Sequence, residues 1–332
     1  MARVLISILS DHIIPNYLYI KEMSGMFDDQ IYITTEYAEK KEIGINLENT
    51  LGIKHNSTRR IVVSNENYRA VLKKLREEDF SKEDSYCINQ TGGTKAMSIA
   101  LFYFFQDYDS EFIYIPFGTN EYFNFIQEEG IPIKYRLNLK EYFSLYGMTY
   151  ECDNSFVLNK DVPNRIFNQL EKRNFYFTKD IIFAHQKATP EERRFWSGEW
   201  FEEYTYSRIL DEYTEIGNDA IAKSVKVYRK GSIVNDNEID VAFVKDNNLY
   251  IIECKVSMHG FGSTDQETVE KYLYKIAAIM KDLGLKVNSY LFTLHKMNKF
   301  SQNTLKNIDK RRLILGINGL FDGPRLSKLL NI

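Results

Sequence analysis

Asn237-Glu238-Ile239-Asp240-Val241-Ala242-Phe243-Val244 leads into the polar Lys245-Asp246-Asn247-Asn248 and returns through Leu249-Tyr250-Ile251-Ile252-Glu253-Cys254-Lys255. Two apolar runs rich in β-branched and aromatic residues, joined by a turn-prone loop, read as an antiparallel hairpin. Alternate residues of a strand share a face, so Glu253 and Lys255 project together while Cys254 points to the packed side. The antiparallel return brings Asp240, near the start of the first strand, alongside the end of the second. Two carboxylates and a lysine thus converge at one end of a sheet that is otherwise too apolar to hold charge. Charges placed there are costly unless they are paired or bind a metal.

The chemistry of that trio is specific. Asp240, Glu253 and the backbone carbonyl of Cys254 offer only oxygen, a set suited to Mg²⁺ or Mn²⁺. Such an ion polarises a phosphodiester and acidifies bound water, and Lys255 is placed to orient that water or to stabilise charge growing on phosphate. The order and spacing of Asp240, Glu253 and Lys255 resemble the core motif of the PD-(D/E)xK nuclease superfamily, with Ile239 where a proline usually precedes the aspartate. Upstream, one long amphipathic helix is expected over 191–213. Within it Gly198-Glu199-Trp200-Phe201-Glu202 is similar to that superfamily's first-helix element, whose last glutamate completes the metal site. The resemblance favours Glu202, with Glu199 and Glu203 as alternatives. After the hairpin, a helix expected over 266–283 carries Lys271-Tyr272-Leu273-Tyr274-Lys275. There Tyr272 and Lys275 are candidates for contact with nucleic-acid phosphates, a packed aromatic face being the other reading.

Further toward the C-terminus, Lys296, Lys299, Lys306, Lys310, Arg311, Arg312, Arg325 and Lys328 stand against only Asp309 and Asp322. A local basic surface of this kind binds a phosphate backbone without reading sequence; a solvated helix face would look the same.

The first half alternates strand and helix. Strands are expected at 4–9, 31–35, 60–63, 86–89 and 112–115, with helices at 15–26, 65–78 and 94–105. Such alternation implies βαβ units and a mostly parallel sheet, whose ligands sit beyond the carboxyl ends of the strands. Two turns lie there: Ser10-Asp11 after the first strand, and Asn89-Gln90-Thr91-Gly92-Gly93-Thr94-Lys95 after the fourth. A Gly-Gly pair before a helix lets backbone N–H groups approach a ligand, and the helix start adds positive potential. Thr91, Thr94 and Lys95 add donors, so the turn is built as an anion site, although a threonine-capped tight turn needs the same residues. It has neither P-loop spacing nor the glycine pattern of a dinucleotide fold. Gly118, Thr119 and Asn120, after a further strand, border the same pocket or simply form a hairpin turn. Residues 137–147 are expected to close the domain with a final strand and a short helix.

With the βα repeat, these two loops resemble the CRISPR-associated Rossmann-fold (CARF) sensor family over about residues 1–145. The resemblance implies a homodimer that binds a cyclic oligoadenylate across its two-fold axis. The expected organisation is a CARF-like domain over 1–147 and a restriction-endonuclease-like α/β domain over 191–332. Residues 148–190 form a connector between them, with a small winged-helix-like insert as one reading.

The whole chain fits this scheme. Its 332 residues suggest about two domains, and its net charge of -3, from 43 basic and 46 acidic residues, argues against permanent attachment to nucleic acid. Cys87, Cys152 and Cys254 are odd in number and far apart, matching neither a disulfide framework nor a zinc site, so a reducing cytoplasm is the expected location. The five histidines show no metal spacing. The run at 4–9 reads as a core strand, and no stretch is long and apolar enough to span a membrane. Together the halves resemble the ancillary nucleases of type III CRISPR systems that fuse a CARF sensor to a PD-(D/E)xK domain. That resemblance implies cyclic tetra-adenylate as allosteric activator, which reorients two nuclease domains, and cleavage of DNA, RNA or both. Two other readings stay open: a constitutive restriction or repair nuclease, and a non-enzymatic oligoadenylate-binding regulator.

Overall fold

The structure is a computed structural model that describes residues 1–54, 58–127, 129–175, 189–232, 237–258 and 265–326. The chain divides into two compact units, residues 1–137 with 141–148, and residues 138–140 with 149–332.

In the first unit, β1 (Arg3–Ile8), α1 (Ile14–Glu22), β2 (Asp29–Thr34), α2 (Glu36–Lys40), α3 (Ile43–Leu51), β3 (Arg59–Val62), α4 (Tyr68–Glu77), β4 (Ser85–Asn89), α5 (Lys95–Phe105) and β5 (Asp109–Tyr114) are followed by β6 (Glu121–Asn124), β7 (Ile131–Pro132) and α6 (Leu139–Leu145). The sheet order is β3-β2-β1-β4-β5-β6-β7. Its first five strands are parallel, and β6 and β7 add antiparallel at one edge. From Val4 to Ile8 every residue of β1 is buried, as a central strand covered on both faces requires. The order reverses between β1 and β4, so the loops leaving those two strands flank the crevice of the sheet.

Two features differ from expectation. Helices α2 and α3 occupy the stretch between β2 and β3. The five residues of α2, Glu36-Tyr37-Ala38-Glu39-Lys40, are too few to show a period, and Thr35 caps the helix by accepting from the Ala38 N–H. Residues 137–147 contain the expected helix but no strand; the next strand, β8 (Met148–Glu151), lies at the edge of the second sheet.

The second unit continues with α7 (Asp161–Lys172), α8 (Pro190–Arg194), a π-turn at Phe195–Glu199, α9 (Trp200–Glu212), β9 (Ile221–Arg229), β10 (Asn237–Lys245), β11 (Asn248–Lys255), α10 (Asp265–Met280), β12 (Val287–Thr293), α11 (Gln302–Ile314), β13 (Gly319–Phe321) and α12 (Gly323–Leu326). Its sheet runs β13-β12-β11-β10-β9-β8. The β9-β10-β11 meander is antiparallel, and β12 and β13 add in parallel. The hairpin turns through Asp246 and Asn247, both with positive φ, the geometry that matches strand twist in a two-residue loop.

The single helix expected over 191–213 is broken, because the backbone leaves helical geometry at Gly198 (φ 175°, ψ -31°). Glycine, lacking a side chain, gains less from staying helical than any residue but proline. The apolar spacing does not reveal the break, since Phe195 and Trp196 are followed about a turn later by Trp200 and Phe201, as in an unbroken helix. Phe195, Trp200 and Phe201 pack with Val241, Phe243, Ile252 and Phe292 in one core. From the connector, Ile166, Phe167 and Leu170 of α7 join that core, with Phe167 stacked on Tyr204 at 4.0 Å between ring centroids. Of the connector, residues 176–188 lie outside the described residues, so the winged-helix-like reading of that stretch does too. No described helix is long and apolar enough to cross a membrane.

Candidate functional site

The pairing Val241↔Ile252 fixes the hairpin register. One residue beyond it, Asp240 accepts the Cys254 N–H on Oδ2 at 2.7 Å and the Lys255 ammonium on the same oxygen at 2.9 Å. Lys255 Nζ also lies 2.8 Å from Glu253 Oε1 and donates to the Cys254 carbonyl at 2.8 Å. From α10, Lys275 Nζ donates to both Glu253 oxygens at 2.8 and 2.7 Å. Tyr272, three residues earlier on the same helix face, sets its ring 5.3 Å from the Lys255 ammonium. Tyr272 and Lys275, candidates for phosphate contact or for a packed aromatic face, thus both reach the carboxylate cluster.

Asp240 and Glu253 are almost fully buried. Burial and the charge of Asp240 raise the Glu253 carboxyl above its ordinary value, against the pull of Lys255 and Lys275. Burial alone would depress Lys255, but Asp240 and Glu253 outweigh it and hold the ammonium charged. Glu202 on α9 belongs to the same field: burial, then Asp240, push its carboxyl well above the usual carboxylate range. The two alternatives are engaged elsewhere. Glu203 Oε1 accepts the Val157 N–H at 2.9 Å and lies 3.9 Å from Lys223 Nζ, whereas Glu199 pairs with Arg194 at 3.4 Å. A cavity of about 550 Å³ opens beside Glu202, lined also by Glu199, Glu238, Arg194, Lys223 and Phe156.

In the other unit, the loops leaving β1 and β4 meet. A Cβ on Gly92 (φ +110°) would come within 2.9 Å of Ser10 Oγ, and one on Gly93 (φ +65°) within 2.4 Å of Ile8 Cγ2. Only glycine permits this backbone and this approach together. Asn89 and Thr91 are buried and brace the loop from within. Asn89 Oδ1 accepts the Thr91 N–H at 2.9 Å and its Nδ2 donates to Asn16 at 3.0 Å, while Thr91 Oγ1 accepts the Ile115 N–H at 2.7 Å. Gln90 Nε2 donates to the Ser98 carbonyl at 3.1 Å. Thr94 caps α5 by accepting the Met97 N–H and donates to the Asn65 carbonyl, leaving Lys95 exposed at the helix start. Asp11 accepts from the Tyr37 hydroxyl at 2.8 Å and from Lys41 at 2.9 Å. Next to it, His12 stands 4.9 Å from the Phe117 ring and is held below its ordinary pKa by burial. Gly118 turns with φ +77°, Thr119 Oγ1 donates to the Pro116 carbonyl at 3.1 Å, and the Asn120 carbonyl accepts the Ile133 N–H at 2.7 Å.

A family model of the Card1 CARF domain matches residues 4–142, and one of the Card1-like endonuclease domain matches residues 189–326. This chain carries a Card1-type CARF domain and a Card1-like endonuclease domain. Solved structures agree in fold. Protein VC1899 from Vibrio cholerae has a TM-score of 0.72 at 19% identity over 99% of this chain and 96% of its own. Can2 from Sulfobacillus thermosulfidooxidans, solved with cyclic tetra-adenylate, has 0.72 at 22% identity over 99% and 100%. A type III CRISPR defence DNA nuclease activated by cyclic oligoadenylate has 0.57 at 15% identity over 88% of this chain and 45% of its own. No curated protein matches the sequence.

In the endonuclease domain the donors Asp240, Glu253, Glu202 and the Cys254 carbonyl are all oxygen, the chemistry a hard divalent ion takes. Among the described residues no three His, Cys, Asp or Glu side chains stand close enough to hold a metal as they are. Ammonium groups compensate the carboxylates instead, Lys255 bridging Asp240 and Glu253. Of the basic C-terminal set, Arg312 is spent on Asp309 and on the Ile317 and Asn318 carbonyls, and Arg325 lies 3.7 Å from Asp322. Lys328 lies outside the described residues.

In the CARF domain, sequence reading missed His12, Tyr37, Lys41 and Phe117. His12 had a signal, since it directly follows Ser10-Asp11. Tyr37 and Lys41 sit in and just after the unforeseen α2, so nothing local pointed to them.

Proposed function

We propose that the chain is a cyclic tetra-adenylate-activated, metal-dependent nuclease of type III CRISPR defence. It works as a cytoplasmic homodimer and hydrolyses phosphodiester bonds of DNA, RNA or both with little sequence specificity. The observation that carries this reading is the convergence of Asp240, Glu253 and Lys255 within 2.9 Å contacts, in a chain whose other half is a CARF domain. The description of Can2 in complex with cyclic tetra-adenylate supports the ligand, and the description of the third neighbour as a DNA nuclease supports the reaction.

Asp240, Glu253, Glu202 and the Cys254 carbonyl would hold Mg²⁺ or Mn²⁺, which when bound supplies a polarised phosphodiester and an acidified water. Lys255, kept cationic by its two carboxylate neighbours, stabilises negative charge that develops on a phosphate brought to this cluster. Lys296, Lys299, Lys306, Lys310 and Arg311 add sequence-independent attraction for the backbone. In the CARF domain, the Gly92-Gly93 turn, Lys95 and the start of α5 supply the anion-binding groups. A ring with four-fold chemical symmetry suits a two-fold axis, because each protomer presents the same loop to half of the phosphates. The exposed side chains of Ile99, Phe102 and Tyr103 on α5, with Phe125 and Ile126, form an apolar face consistent with a second copy. For the ligand to switch the enzyme, it must bind the cutting arrangement more tightly than the resting one.

Cleavage of single- and double-stranded DNA and RNA, assayed with cyclic tetra-adenylate and Mn²⁺ or Mg²⁺ against an EDTA control, tests this reading. Cutting should require both ligand and metal, and Asp240→Ala or Lys255→Ala should lower it by roughly a hundredfold or more. Full activity in either variant would overturn the assignment.

A further inference from the structure

We propose that Lys275 is a resident cation that competes with the divalent ion for Glu253, and so sets the metal concentration at which the site becomes active. The proposal rests on the metal-dependent reading above and assigns a residue outside the hairpin motif.

Both oxygens of Glu253 accept from the single Lys275 ammonium, at 2.8 and 2.7 Å, and Oε1 also lies 2.8 Å from Lys255. Every Glu253 oxygen is therefore occupied by positive charge. With the Glu253 side chain 3% exposed, water cannot take over as its counter-charge. A divalent ion gains this carboxylate only by displacing an ammonium.

The two lysines are not equally held. Lys255 is tied to Asp240, to Glu253 and to the Cys254 carbonyl, and its side chain is 21% exposed. Lys275 has Glu253 as its carboxylate partner, is 34% exposed, and reaches in from α10 on a flexible four-carbon stem. Lys275 is the one that can leave, its head swinging to solvent on that stem. While it is seated, the carboxylates are charge-compensated by a group that cannot polarise a phosphodiester. Once it is displaced, the same carboxylate is open to a divalent charge.

Mn²⁺ binding to the full chain, followed by the electron paramagnetic resonance of free Mn²⁺, tests this in wild type, Lys275→Gln, Lys275→Arg and Asp240→Asn. K275Q should bind Mn²⁺ roughly tenfold more tightly than wild type, the loss of one charge-assisted hydrogen-bonded competitor. K275R, which keeps the charge, should stay near wild type, and D240N should weaken binding. The Mn²⁺ concentration giving half-maximal cleavage should fall in K275Q by a similar factor. Unchanged or weaker Mn²⁺ binding by a K275Q protein that unfolds at the wild-type midpoint overturns the role of Lys275. If D240N still abolishes binding in that case, the nuclease reading stands. Absence of Mn²⁺ binding in both wild type and K275Q overturns both. Lys275→Met provides the same comparison where K275Q does not fold.

Discussion

Glu202 and Glu203 are adjacent in the chain and occupy different electrostatic worlds. Glu202 shares the field of Asp240, whereas Glu203, 1% exposed, turns to the Val157 N–H and a long contact with Lys223. Burial raises the Glu203 carboxyl above its ordinary value, with the Val157 N–H and Lys223 pulling the other way. A carboxyl raised on folding favours the folded state most below its unfolded value and loses that advantage as pH climbs through the raised one. Wild type should therefore lose stability from this group as pH rises above the ordinary carboxylate range, and Glu203→Gln should flatten that part of the profile. Urea midpoints across that rise provide the check, and an unchanged slope in Glu203→Gln would remove Glu203 as its source. The meeting of Asp240, Glu253 and Lys255 was legible because strand periodicity of two fixes which side chains share a face. The grip of Lys275 on Glu253 was not, because it depends on how α10 docks against β11.

Among the elements, the β4–α5 turn leaves little room for substitution. An alanine Cβ at position 93 would meet Ile8 Cγ2 at 2.4 Å on a backbone with φ +65°. Gly93→Ala should cost about 1–3 kcal/mol by denaturant unfolding and should weaken oligoadenylate binding with it. Wild-type stability and binding in that variant would mean the turn is softer than its contacts indicate. The turn could be located from sequence because Gly-Gly between an apolar run and a helix has few other uses. The bracing of its interior could not: Asn89 and Thr91 were expected to meet ligand, yet both are buried and spend their side chains on Asn16, Ile115 and the turn itself. A polar residue beside glycines looks the same in sequence whether it faces solvent or core. The π-turn at Phe195–Glu199 was hidden for a related reason, since its aromatic residues keep the spacing of an unbroken amphipathic helix.

For the whole molecule, the expectation is that sensing and cutting can be separated by substitution. Lys95 is exposed at the start of α5 and lies in the CARF domain, far along the chain from the hairpin. Lys95→Ala should raise the cyclic tetra-adenylate concentration needed for half-maximal cleavage by about tenfold while leaving the rate at saturating ligand near wild type. A lowered saturated rate with unchanged ligand requirement would contradict that division of roles. The sequence by itself determined the two kinds of fold, the hairpin with its charged end, and the glycine turn beyond the fourth strand. Each follows from short-range rules: side-chain period, turn chemistry and the cost of placing charge on an apolar strand. Only the tertiary structure set Glu202 in the field of Asp240, brought Lys275 to Glu253, and placed Tyr37 and Lys41 on Asp11. Those contacts join residues from separate elements, and the packing that brings them together is set by the burial of whole faces, which no local pattern specifies.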